Sequence, residues 1–228
     1  MVNRRRFLNG SSLAFLSILF PLKIFPSKSR LPNVLIIGDS ISIGYYPFVK
    51  EKLKGIAKLH RPMLPEGGFQ NCAGTTKGVE KIDQWIGETK WDLIHFNFGL
   101  HDIKHIDPLT GKNSKSFDDP HQASTNQYEK NLNLIVKKLK NTKAKLIFAS
   151  TTPYPDEGLK PARKPGMHKI YNSIALRLMK KNKIFINDLH AFVMPRINEL
   201  QRPNNVHFSI YGSEELSKAV VESILKHL

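Results

Sequence analysis

Asn33-Val34-Leu35-Ile36-Ile37-Gly38-Asp39-Ser40-Ile41-Ser42-Ile43-Gly44 is the stretch that decides the fold. Val34 to Ile37 is a short, unbroken apolar run that stops at Gly38, the pattern of a strand covered on both faces. Trp91 to Phe98 (WDLIHFNF), Lys145 to Ala149 (KLIFA) and Ile184-Phe185-Ile186 repeat that pattern further along the chain. Between these runs the apolar residues recur at helical spacing: Val79, Ile82 and Ile86, then Tyr128, Leu132, Ile135, Val136 and Leu139. Leu216, Ala219, Val220 and Ile224 share one face of a final helix, with Ser213 as its expected cap. Strands alternating with helices, without an internal repeat or a long linker, predict one α/β domain over residues 31–228. Its expected form is a three-layer αβα sandwich around a parallel sheet of about five strands. In such sheets ligands sit beyond the carboxyl ends of the strands, so chemistry is sought just after each strand.

The 228 residues are 40% hydrophobic and 9% aromatic, enough for a sizeable core, which excludes intrinsic disorder. A single cysteine, Cys72, excludes an intramolecular disulfide framework and a zinc site built on several thiolates. The formal charge is +16, of which Arg4, Arg5, Arg6, Lys23, Lys28 and Arg30 supply six with no acid among the first thirty residues, leaving +10 for the rest. Those remaining cations are scattered singly along helix-like segments, not interleaved with aromatics, which reads as a solvated surface and not a nucleic-acid site.

At the N-terminus, Arg4-Arg5-Arg6-Phe7-Leu8 precedes the apolar run Leu13 to Leu22. That run is too short for a bilayer core of about 30 Å, which takes about 20 residues. A basic segment followed by a short apolar stretch has the layout of an export signal, here of twin-arginine type. Residues 1–30 are therefore read as an export signal or an N-terminal membrane anchor, and the protein as periplasmic or extracellular. Pro21 to Pro26 offers no small-x-small cleavage site, so cleavage near Ser27 to Arg30 and retention as an anchor both stay open.

The first strand ends in Gly38-Asp39-Ser40, which would present a hydroxyl at a helix N-terminus. The run Trp91 to Phe98 is followed by Gly99-Leu100-His101-Asp102, and Asn204-Asn205-Val206-His207-Phe208-Ser209 precedes the last helix. Together they supply a hydroxyl, hydrogen-bond donors and an imidazole, the minimal parts for serine acyl transfer. In order and spacing these blocks resemble those of the SGNH (GDSL-type) hydrolase superfamily, over essentially all of Asn33 to Leu228. The resemblance implies a flavodoxin-like sandwich in which Ser40 attacks an ester carbonyl and His207 takes its proton. It also implies an oxyanion hole formed by the Ser40 N–H, a second-block glycine and a third-block side chain. Asn71 to Thr76 falls where the second block belongs, making Gly74 the expected glycine and Gly78 the alternative. Gly38, Asp39, Gly99 and Asp102 are expected to support the two loops, Asp39 by holding the first turn and Asp102 by bracing the third block.

Two positions depart from the family pattern. His101 stands where the family has asparagine, and an imidazole N–H can still donate to an oxyanion. Asn204 stands where the family has the aspartate that orients the base. Its amide oxygen can accept from His207 but brings no charge, and an Asp-to-Asn change in a serine protease triad costs about 10,000-fold. Slow catalysis is the expectation unless another carboxylate, Asp39 or Asp102, assists.

Other constellations carry less. His101 and His105, with Asp102 and Asp107 beside them, have metal-ligand spacing only on a helix, and this stretch follows a strand and runs into Asp107-Pro108. No metal and no cofactor is expected. His95 lies among apolar neighbours and reads as a core residue. No Gly-x-Ser-x-Gly elbow occurs, which excludes the α/β-hydrolase reading, and Gly111-Lys112-Asn113 lacks the rest of a phosphate loop. The polar segment from Asp107 to Ser124 is read as shaping access to the site, and Tyr154 as either stacking on a sugar or packing. The functional expectation is an exported serine esterase that removes small acyl groups, acetyl above all, from a small-molecule or glycan ester. The alternatives are a lysophospholipase or thioesterase, and a catalytically silent fold that binds a glycan or a partner. Contact with a membrane is expected only through an uncleaved N-terminal segment.

Overall fold

The computed structural model describes residues 30–228, so the N-terminal signal or anchor expected over residues 1–30 lies, up to Ser29, outside the described residues. Five strands form one sheet: β1 (Asn33–Ile37), β2 (Lys58–His60), β3 (Leu93–Phe96), β4 (Lys145–Ala149) and β5 (Phe185–Asn187). All neighbours are parallel, in the order β2-β1-β3-β4-β5. This is the flavodoxin-like doubly wound order, whose switch point lies between β1 and β3.

Among the described residues seven α-helices accompany the sheet: α1 (Ser40–Lys52), α2 (Thr75–Ile86), α3 (Thr125–Asn141), α4 (Met167–Lys181), α5 (Leu189–Val193), α6 (Ile197–Leu200) and α7 (Ile210–His227). α1 packs on α7, whereas α2, α3 and α4 pack in succession, giving the two outer layers of the sandwich. The centre of the core is Leu35, Ile36, Ile37, Leu93, Phe96, Ile147 and Phe148, all 2% exposed or less. Continuous burial of β1, β3 and β4 on both faces explains why the apolar runs were unbroken.

The structure corrects several local readings and decides others. β2 has no apolar run, because a three-residue edge strand reading Lys-Leu-His is paired on one side only. α2 turns Gly78, Ile82 and Trp85 inward and leaves Val79 exposed. Gly78 occupies that inner face because a Cβ there would meet Ile135 at 2.6 Å and Phe98 at 3.0 Å. The cap of α7 is Ser209, whose hydroxyl accepts from the Gly212 N–H at 2.9 Å, and Ser213 lies inside the helix. Tyr154 is buried and donates to the Lys164 carbonyl at 2.9 Å, so it packs and presents no face to a ligand. His95 is fully buried and its Nε2 accepts from Asn187 Nδ2 at 3.1 Å, as a core histidine; burial pushes its pKa down to about 4.

Candidate active site

Gly38 ends β1, and its carbonyl accepts from the Cys72 N–H and from the buried Arg61 guanidinium. Asp39 then caps α1: its carboxylate accepts from the Ile41 N–H at 2.9 Å, and its burial raises its pKa. Ser40 is thereby fixed as the first residue of α1, half-buried, with its hydroxyl at the carboxyl end of the sheet. Its own N–H lies in the first helical turn, where intrahelical acceptors are lacking and the helix dipole favours negative charge.

His207 reaches this hydroxyl from 167 residues away. The distance from Ser40 Oγ to His207 Nε2 is 2.9 Å. The loop that carries His207 is tied at several points. Gln201 Nε2 donates to the Pro153 carbonyl at 2.6 Å, the Arg202 N–H donates to the His207 carbonyl at 2.9 Å, and Gln201 bridges to Phe208. Gly212 permits the approach, since a Cβ there would collide with the Leu200 carbonyl.

The other ring nitrogen corrects the expectation about Asn204. His207 Nδ1 lies 2.7 Å from Asn205 Oδ1, and the same oxygen accepts the His207 backbone N–H at 2.9 Å. Two converging contacts, one of them from an obligate donor, fix the amide with its oxygen toward the ring. Nδ1 is then the protonated nitrogen, and Nε2 is left as the acceptor for the Ser40 hydroxyl. Asn204 is exposed and sits at φ 52°, a left-handed conformation that asparagine tolerates, with its side chain against Gly158. It lies on the cavity wall and makes no hydrogen bond to the imidazole. An Asx residue two places before the histidine was the signal that would have found Asn205.

 

The third block places His101 on the same cavity, and its ring nitrogens have no protein partner among the described residues. Burial, reinforced by the charges of Lys104 and Arg163, pushes its pKa down to about 3, so the ring is neutral and keeps one N–H to donate. Gly99 stands at φ 149°, a conformation that suits glycine, with Thr151 where a Cβ would go. Asp102 is fully buried. Its Oδ1 accepts from the Thr75 N–H at 2.8 Å and the Thr75 hydroxyl at 2.6 Å, which ties the third block to the start of α2, and burial pushes its pKa up to about 7.

Gly74 caps α2 and lies against Asp102, where a Cβ would come within 2.9 Å of Oδ1. The Gly78 N–H is already spent on the Gly74 carbonyl at 3.0 Å, which leaves Gly74 as the glycine with an N–H to offer. His105 turns away from the site, its Nδ1 against the Asp119 carbonyl, and among the described residues no group of three His, Cys, Asp or Glu side chains is placed to hold a metal. Asp107 lies in an exposed turn that its own carboxylate caps.

The cavity over Ser40 and His207 has a volume of about 480 Å³. Asn113 brings the segment from Asp107 to Ser124 to its wall, and Gly158 to Arg163 forms another side. Arg163 is the feature that sequence reasoning missed. It is 5% exposed, and its Nε donates to the Leu100 carbonyl at 3.1 Å.

No family model and no curated protein matches the chain. Solved structures do. A lipase/acylhydrolase from Enterococcus faecalis superposes with a TM-score of 0.66 at 20% identity, over 85% of this chain and 95% of that one. The fold is that of the GDSL-type acylhydrolases. A catalytic mutant of an acetylxylan esterase from Geobacillus stearothermophilus gives a TM-score of 0.66 at 16% identity, over 85% and 94% of the two chains. A GDSL-like lipase from Bacteroides thetaiotaomicron gives 0.61 at 16% identity, over 86% and 89%.

Proposed function

We propose that this GDSL-type fold is a serine esterase that hydrolyses small acyl esters, acetyl above all, carried on carbohydrate. The observation that carries the reading is the 2.9 Å contact between Ser40 Oγ and His207 Nε2, with Asn205 holding the opposite side of the ring. As Ser40 Oγ bonds to the ester carbonyl carbon, its proton passes to Nε2. The negative charge that develops on the carbonyl oxygen meets the N–H groups of Ser40 and Gly74 and the His101 ring. The intermediate collapses as the imidazolium returns its proton to the departing alcohol. Water then repeats the sequence and frees the acid.

The acetylxylan esterase among the structural neighbours supports the carbohydrate part of this reading. So does the cavity, whose apolar members are Leu100, Leu159, Pro161 and Val206 among polar and charged ones. Export rests on Arg4-Arg5-Arg6-Phe7-Leu8 and the apolar run after it. Intact-mass analysis after exposure to a fluorophosphonate tests the nucleophile: one adduct on the wild type and none on Ser40→Ala is expected. Absence of labelling on both refutes it.

A further inference from the structure

Among the described residues, Lys104, Lys160 and Arg163 are the charged ones on the cavity wall, and no acidic residue lines it. Burying a guanidinium is costly unless it is paired, yet Arg163 makes no ion pair among the described residues. Two of its five donors are used: Nε on the Leu100 carbonyl, and one from Nη1 on the Pro161 carbonyl at 3.3 Å. Those carbonyls fix the plane of the group. Among the described residues Nη2 meets no acceptor, and Arg163 lines the cavity, which leaves donors of this group for a ligand there. Asp39 is near enough to feel the charge, but its carboxylate is committed to the Ile41 N–H.

We propose that this cavity takes an acyl ester carried on an anionic sugar, with the free edge of Arg163 gripping the sugar's carboxylate or phosphate group. A planar fork with two parallel N–H donors matches either anion. Lys104, half-buried, and Lys160, exposed at the rim, add attraction that salt weakens. The inference rests on the esterase reading for the ester, but not for the anion.

The test measures binding by calorimetry to the Ser40→Ala chain at low and high salt. The probes are glucuronate, glucose 6-phosphate and glucose, the first two separating a carboxylate from a phosphate source. At least tenfold tighter binding of one anionic sugar over glucose is expected, reduced by salt. Arg163→Gln should abolish the preference, and Lys104→Gln with Lys160→Gln should reduce it severalfold without touching the carbonyls that Arg163 braces. Equal affinities, no binding of any probe, or a preference that survives all three substitutions overturns the proposal. Hydrolysis of 4-nitrophenyl acetate by the wild type is read beside it. If that ester is cleaved and the sugars bind alike, the anion site falls alone; if it is not cleaved and the preference holds, the esterase reading falls and the anion site stands.

Discussion

Replacing Asn205 by aspartate should accelerate the proposed ester hydrolysis. The amide oxygen already selects the productive tautomer of His207, so the substitution adds charge without changing which nitrogen holds the proton. Nδ1 and Oδ1 are 2.7 Å apart, which puts the centres of the two delocalised charges about 4 Å apart. At that separation opposite charges attract by about 4 kcal/mol at an effective dielectric of 20 and by about 1 kcal/mol in water. His207 is half-buried, and an intermediate value of about 2 kcal/mol corresponds to a roughly 30-fold gain in kcat/KM. The same attraction raises the imidazole pKa, because the carboxylate favours the charged ring. The assay is kcat/KM for a nitrophenyl ester from pH 4 to 9, with Asn204→Asp as a neighbour that does not touch the ring. A gain at pH 8 in Asn205→Asp, with its acidic limb moved to higher pH, is expected. An unchanged or lower rate with an unmoved limb, in a variant of wild-type melting temperature, refutes the reasoning.

The remaining predictions are more compact. In the wild type, burial and the charges of Arg202 and Arg163 lower the His207 pKa, so activity should rise with pH through a midpoint below 6.5; a midpoint above 7 contradicts it. His101→Ala should lose about 100-fold to 1,000-fold in kcat, whereas His101→Asn, which restores a neutral donor, should stay within about tenfold of wild type. Asn204→Ala should change kcat/KM by less than about threefold, while Asn205→Ala should cost at least about 100-fold. Asp102 has a folded pKa of about 7 against an ordinary 3.8, so the folded state binds the extra proton and stability falls as pH rises between those values. Asp102→Asn keeps an oxygen for Thr75 and should raise Tm by several degrees at pH 8 but not at pH 4, as thermal melts would show.

The parts of this molecule that were legible in its sequence are those buried on both faces. β1 and β4 announce themselves because a strand with no wet side has no polar positions, and Ser40 and His207 are marked by the turns they follow and precede. β2 was invisible since an edge strand of three residues carries no such run. Asn205 was missed by one position: strand and helix periodicity says nothing about which of two adjacent asparagines in a loop turns inward. The positive cavity was hidden for another reason. Lys104, Lys160 and Arg163 belong to two loops about 55 residues apart, and only the parallel sheet brings those loops to one end.

The pairing of α1 with α7 has a consequence for synthesis. The proposed nucleophile is among the first residues of the domain to emerge from the ribosome, and its proposed base among the last, 167 positions later. A growing chain therefore carries an ordinary, unreactive serine until the closing helix docks beside the opening one. Reactivity at Ser40 reports that the whole sheet has been assembled, so a covalent probe of that hydroxyl would count finished molecules and pass over every partial one.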